Sequence, residues 1–410
     1  MNIEINMPCE VEKALNILNS NGFEAYIVGG CVRDAILGAV PSDWDITTSA
    51  KPDEIINCFK DYRTIETGLK HGTVTVVINH MHMEITTYRI DGKYSDNRRP
   101  DTVLYTDKIS MDLKRRDFTV NALAYNCDGI VDLFGGINDI EKKTIKCVGD
   151  PDERFNEDGL RILRALRFAS VLCFNIEENT SKRIHENKNL LNNISCERIN
   201  SEFCKLVLGK NFNKIMLEYK DVIEVFIPSI KKLNKEDWKQ KINSMAMVPN
   251  DLILKFTLLF YKIDDIENIL TRLKNDNVTI KNVRLLTLNI DEEVLPTPIN
   301  VKRWLNKIGY DNLNQLFNVK KAVVKSFDKS NETELENLEK AELLMNEAVK
   351  QRQCFSLKTL AINGKDLLEA GIAEGEQLGE ILDEILDKVI EGKLENQKSV
   401  LMDYIKFYRK

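Results

Sequence analysis

The chain has 410 residues, 43% hydrophobic and 30% charged, with a formal net charge of −6 at pH 7. That length allows about two to four domains with a full core, and no apolar run approaches the ~20 residues of a bilayer-spanning helix. The acidic balance argues against non-specific binding of nucleic acid over the whole surface, yet it leaves room for a basic face.

Residues 1–15 carry Glu4, Glu10 and Glu12 and lack the basic-then-apolar order of a secretory leader. Strands are expected over 24–30, 45–49, 73–78, 83–89, 118–125 and 130–134, each rich in Val, Ile, Thr and Tyr and bounded by Gly, Asp or Asn. Helices are expected between them over 11–19, 32–37 and 53–58. Eleven of the 19 glycines lie in the first 150 residues, and only Gly159 and Gly209 lie between 150 and 300, so a mixed α/β head gives way to helices. After Asp150 the apolar residues recur three or four apart over 157–169, 198–208, 251–261 and 341–351. Pro296 and Pro298 mark a junction between helical regions, and Gly364, Gly371, Gly375 and Gly379 set a loop in the helical final hundred residues. The class is α+β.

Nine cysteines, odd in number and without a Cys-x-x-Cys pair, read as reduced thiols of a cytoplasmic protein rather than a disulfide framework or a zinc site. Three of the four histidines (His71, His80 and His82) fall around one hairpin, which leaves no histidine-rich metal site elsewhere.

Gly29-Gly30-Cys31-Val32-Arg33-Asp34 follows an apolar strand and opens a helix, and Asp43-Trp44-Asp45 follows nine residues later. Neither motif is specific alone; together and in this order they are. Paired glycines let backbone N–H groups approach a phosphate, the helix start favours an anion, and Arg33 adds a charge-assisted contact. Aspartates two apart on a strand share a face. Two such carboxylates stay ionised when cations neutralise them, and Mg²⁺ does so with carboxylate and phosphate oxygens. Glu84, on a later strand, reads equally as a third carboxylate or as a plain strand-face charge.

Arg115 is a candidate triphosphate ligand, whereas Arg116 and Asp117 read as a structural ion pair. In Glu157-Asp158-Gly159-Leu160-Arg161, Asp158 and Arg161 stand three apart as neighbours on a helix surface, and Arg164 and Arg167 continue a basic stripe. The plain reading is a solvated helix with ion pairs such as Glu157 with Arg161. The sharper one is base selection. Cytosine and adenine each present an amino donor beside a ring-nitrogen acceptor, which a carboxylate and a guanidinium can satisfy together. Guanine and uracil reverse that edge and would leave buried groups unpaired, at about 1–3 kcal/mol each.

These motifs, in this order, resemble class II tRNA nucleotidyltransferases. Weaker stretches agree: Thr67-Gly68-Leu69-Lys70-His71-Gly72, Tyr94-Ser95-Asp96-Asn97-Arg98-Arg99-Pro100, Glu197-Arg198-Ile199 and Leu360-Ala361-Ile362-Asn363-Gly364. The resemblance implies a polymerase-β-like nucleotidyltransferase head with a mixed sheet (1–145), then an all-helical neck (146–209), body (210–298) and tail (299–410). It implies Mg²⁺ at Asp43 and Asp45; Glu84 stays a catalytic candidate on the reading of its own strand. It also implies triphosphate contacts from Gly30, Arg33 and Arg115, and a nucleotide site lined by Asp158, Arg161, Arg164 and Arg167. The 94–100 stretch would be the loop associated with the switch from C to A addition, and body and tail would bind tRNA. The partners implied are tRNA, CTP and ATP, with no membrane. No His-Asp metal motif follows the neck, so an accessory phosphohydrolase domain is not expected. The activity expected is template-independent addition and repair of the 3′-terminal CCA of tRNA. The rivals are an A-adding enzyme of a split system, a poly(A) polymerase and an inactive RNA-binding module.

Overall fold

The computed structural model describes residues 4–92, 102–327, 331–371 and 376–407. The expected loop at 94–100 lies outside them. The chain forms two compact units: Met1–Lys232 with Arg272–Lys274, and Leu233–Thr271 with Asn275–Lys410.

The first unit begins with helix α1 (Cys9–Ser20), which buries Val11, Ala14, Leu15 and Leu18, one face at helical spacing. Then follow β1 (Ala25–Val28), α2 (Gly30–Ile36), β2 (Asp45–Thr48), α3 (Pro52–Cys58), β3 (Arg63–Ile65), β4 (Thr73–Ile78) and β5 (Met81–Thr87). β4 shows strict alternation of half-buried and buried residues, as a strand with one covered face must. Asn79 and His80 join it to β5, both at positive φ (46° and 68°), the backbone that a two-residue hairpin loop needs. β6 (Arg89–Asp91) and β7 (Val103–Tyr105) form a small separate ladder. After α4 (Ile109–Lys114) come β8 (Leu123–Asn126), β9 (Gly129–Asp132) and α5 (Gly136–Glu141). The main sheet runs β3-β4-β5-β2-β1-β8-β9. It is mixed because β2 and β5 are parallel while the other neighbours are antiparallel.

Helices α6 (Pro151–Glu157), α7 (Leu160–Leu172), α8 (Glu178–Asn187) and α9 (Cys196–Leu208) follow. α7 and α9 meet closely where α9 ends. Ser170, fully buried on α7, donates to Leu206 O at 2.7 Å, and its own carbonyl accepts from Asn211 N at 2.9 Å. A Cβ on Gly209 would stand 2.2 Å from Ser170 Oγ and 2.8 Å from Ser170 C. Since the Ser170 hydroxyl and the Ser170 backbone are each held by a hydrogen bond, Gly209→Ala is expected to destabilise by about 1–3 kcal/mol through overpacking. A urea midpoint equal to that of the wild type would show that the helices part without penalty.

Two expected elements are interrupted. The strand expected over 118–125 is only Leu123–Asn126, because Thr119–Asn121 is a 3₁₀ turn and Phe118 makes a lone bridge to Cys147. Local side chains favour the turn: Asp117 accepts from Phe118 N at 2.8 Å, and Thr119 Oγ1 donates to Asp139 at 2.6 Å. The helix expected over 157–169 breaks at Asp158, whose backbone is extended (φ −145°, ψ 104°) and whose carboxylate accepts from Leu160 N at 3.1 Å. Gly159 fits there because a Cβ would meet Leu190 O at 3.0 Å. The break puts Asp158 at the head of α7.

In the second unit the regular structure of the described residues is helical, from Lys235–Met245 to Lys398–Phe407. The helix over Asn277–Asn289 ends before Pro296, and the next starts with Pro298 in its first turn, as the proline pair requires. A satellite core of Ile362, Leu367, Ile385, Leu386, Leu401 and Ile405 closes the C-terminal part.

Candidate active site

β2 opens at Asp45, and the alternation extends back through the residues before it: Asp43 and Asp45 are exposed, Trp44 and Ile46 buried. A period of two places both carboxylates on the open face. The parallel partner sets Glu84 in register with Asp45, and Glu84 is exposed too, so three acids share one face. Although Asp45 keeps solvent contact as a residue, the protein packed around its carboxyl strips water from it and, ahead of Glu84, pushes it up to about 6, with Asp43 adding and Arg116 opposing. Among the described residues no Lys or Arg forms an ion pair with any of the three. The face is short of positive charge. No group of three or more His, Cys, Asp or Glu stands at metal-holding separation among the described residues. A cation here would therefore rest on the aspartate pair and on substrate oxygens, which is how Mg²⁺ is ordinarily held with phosphates. The donor set fits such an ion.

Beside this face, β1 is followed by Gly29 at φ 82°, ψ −125°, a backbone that glycine tolerates and other residues resist. The approach is also tight, since a Cβ on Gly29 would stand 3.0 Å from Arg116 Nη1. Gly30 opens α2. Arg33 is buried, bonded to Asp34 at 2.8 Å and, through Nη1, to Asn121 Oδ1 at 2.5 Å.

Arg115 grips Asp112 with Nε at 2.9 Å and Nη2 at 2.7 Å. Arg116 does not pair with Asp117: its Nη2 lies 3.3 Å from Asp112 Oδ2. Asp117 is taken by Arg164, with Nε at 2.7 Å and Nη2 at 2.6 Å. Burial works against the Asp117 carboxylate, but Arg164 and Arg161 hold it down at about 2. The expected neighbour pair fails because each member has another partner, Arg116 with Asp112 and Asp117 with Arg164. Helical spacing could have found the true partner of the arginines, Asp112, three residues before Arg115 and four before Arg116.

Asp158 and Arg161 come to the same end of α7 but do not bond through their side chains among the described residues. Arg198 holds Asp158 at 2.7 and 3.2 Å. Arg161 is buried rather than on a helix surface, donating to Glu157, to Arg154 O at 3.1 Å and to Arg115 O at 3.0 Å. The Glu157–Arg161 pair is present as the plain reading had it. Arg164 and Arg167 are half-buried, and Arg167 Nε meets Glu202 at 2.5 Å. Sequence reasoning did not single out Asp112, Asn121 or Glu202, which fix these arginines; Arg198 appeared only as part of a family-like stretch.

Residues 25–146 match the family described as the Poly A polymerase head domain. Residues 173–233 match an RNA- and SrmB-binding site of polymerase A, and 250–405 a tRNA nucleotidyltransferase domain 2. A CCA-adding enzyme of Ligilactobacillus salivarius is 37% identical over 98% of this chain and 97% of its own. One of Enterococcus faecalis is 51% identical over 49% of this chain and 50% of its own. Among solved structures, the Bacillus stearothermophilus CCA-adding enzyme in complex with CTP superposes with a TM-score of 0.79 at 28% identity, covering 98% of both chains.

Proposed function

The chain belongs to the class II CCA-adding enzyme family of tRNA nucleotidyltransferases, and on that premise we propose how its residues divide the work. The enzyme adds and repairs the 3′-terminal CCA of tRNA from CTP and ATP without a nucleic-acid template. The tRNA 3′-hydroxyl attacks the α-phosphate, and pyrophosphate leaves.

Asp43 and Asp45 hold a divalent cation of the Mg²⁺ type at the open face of β2, and Glu84, in register with Asp45, stands beside them as the further catalytic carboxylate. When bound, that ion lowers the pKa of the attacking hydroxyl and neutralises charge on the phosphates. Gly30 gives the triphosphate a close backbone approach at the turn, and Arg33 and Arg115 supply fixed cations. At the head of α7, Asp158 takes three hydrogen bonds, two from Arg198 and one from Leu160 N. An ionised carboxylate has about four acceptor sites, so one remains for the amino group of C or A. Arg161 spends three of its five donors on Glu157 and on main-chain carbonyls. Those that remain can reach a ring nitrogen, and Arg164 and Arg167 complete the nucleotide pocket. The body (210–298) and tail (299–410) take the tRNA acceptor region, and the enzyme works in the cytoplasm.

The observation that carries this division is the break at Asp158–Gly159. It sets the base-reading carboxylate at a helix head while Arg161 ties that head to Arg115 O, next to the phosphate ligands. An end-addition assay tests it, with Mg²⁺ and tRNAs ending before CCA, after C and after CC, and each nucleoside triphosphate alone or CTP with ATP. C is expected first, ATP alone extends only the CC-ended tRNA, and growth stops at CCA. Addition of A alone would indicate a split-system enzyme, long A tails a poly(A) polymerase, and no addition a binding module.

A further inference from the structure

Phe168 sits on α7, 6% exposed, with Phe118 packed against it at 5.8 Å between ring centroids and 78° between ring planes. By composition it is a core residue. Its surroundings are not those of a core residue. The guanidinium carbons of Arg33, Arg164 and Arg167 lie 5.1, 5.3 and 3.8 Å from its ring centroid. Arg33 comes from the glycine turn and the other two from the nucleotide-facing side of α7, so one ring gathers cations from both halves of the site.

Three guanidinium groups so close repel one another, and burial, opposed by Glu202 but joined by the nearby Arg164, pushes the Arg167 side chain below its ordinary range. Asp34, Asp117 and Glu202 offset part of the repulsion at the outer edges. The ring face offsets it from the centre, since an aromatic quadrupole is negative on its face and attracts cations within about 6 Å. Asn121 adds a neutral link. It accepts from Arg33 at 2.5 Å and donates to Asp117 at 3.2 Å, and Asp117 in turn holds Arg164. A side-chain amide, with an acceptor oxygen and a donor nitrogen, can bond a cation and an anion at once.

We infer that Phe168 is a positioning residue for nucleotide binding: its π face holds the triphosphate arginine Arg33 and the pocket arginines Arg164 and Arg167 in one fixed arrangement. The inference rests on the nucleotide roles proposed above for those arginines. A bound nucleotide then meets cations that are already placed, and their mutual repulsion is relieved by the phosphates it brings.

Replacing the ring with an aliphatic side chain would confuse this role with packing, so the test keeps the shape and drains the face. Phe168 is replaced site-specifically by mono-, di- and trifluorinated phenylalanine, and the Kd values of CTP and ATP are measured, with the same series at Phe118 as a packing control. Affinity for both nucleotides is expected to fall stepwise at Phe168, by roughly threefold to tenfold over the series, and to stay level at Phe118. Equal losses at both positions, or a flat Phe168 series with normal binding by the unsubstituted protein, would overturn the inference. If the unsubstituted protein bound neither nucleotide, the functional reading beneath it would fail instead.

Discussion

Asp45→Asn is expected to leave the protein folded and to slow nucleotide transfer by about a thousandfold or more, because charge stabilisation by a metal at the phosphate amounts to several kcal/mol. The substitution keeps the shape of the side chain and removes one charge from a face that already has too many of one sign. Stability should therefore move opposite to activity. In chelated buffer the Asp45 carboxyl titrates near 6 in the folded chain, above its ordinary 3.8. A carboxyl raised on folding stabilises while it is protonated: its contribution is complete below 3.8 and is lost as pH rises through 6. Wild type thus carries an ionisation penalty at pH 8 that the Asn variant lacks. The variant is expected to melt higher at pH 8, with the gap closing towards pH 4. Normal turnover in Asp45→Asn would sink the metal assignment. A variant that melts lower at every pH would show that Asp45 serves the fold instead.

The contrast between these two effects bears on what could be read from the residues. Asp43 with Asp45, and the turn at Gly29 and Gly30, were each legible because period two and glycine-permitted backbone are local rules; the pairing of β1 with β2 then sets the two segments side by side. Glu84 was half legible: its strand could be read, but its register with Asp45 depends on a parallel pairing made across 39 residues, a separation that alternation does not encode. The breaks at Asp158 and at Thr119–Asn121 were hidden for one reason. Apolar period runs straight through both segments, while single side chains of Asp158 and Asp117 bond to nearby N–H groups and overrule it. Arginine partners were the least legible. Arg164 reaches Asp117 and Arg167 reaches Glu202 across 47 and 35 residues, and a charge on a helix face does not announce which carboxylate will meet it.

Asp112 is where that hidden layer can be measured. It is fully buried on α4 and takes Arg115 at 2.7 Å, Arg116 at 3.3 Å, Thr47 Oγ1 at 3.2 Å and Arg89 N at 3.4 Å. Thr47 lies on β2 two residues after Asp45, so this one carboxylate ties the acid-bearing strand to the arginine pair. Removing one partner of a buried ion pair typically costs about 3–5 kcal/mol, because the other is left uncompensated. Arg115 and Arg116 keep some contact with water, at 18% and 20% side-chain exposure. Asp112→Ala is therefore expected at the low end, about 3 kcal/mol. Asp91 still faces Arg115 Nη1 at 3.6 Å, but the two short bonds to Asp112 that aim the guanidinium are lost, and KM for both CTP and ATP is expected to rise more than kcat falls. The pH dependence has the sign opposite to that of Asp45. Burial alone would raise the Asp112 carboxyl, but Arg115 and Arg116 win and hold it below its ordinary 3.8. Its contribution is present above 3.8 and is lost as pH falls through the depressed value. The destabilisation by Asp112→Ala should be full at pH 7 and shrink as the medium turns acid below pH 4. Denaturant melts of the two proteins across that range decide it: a difference below about 1 kcal/mol at pH 7 would mean that the arginines find other partners and that Asp112 anchors nothing.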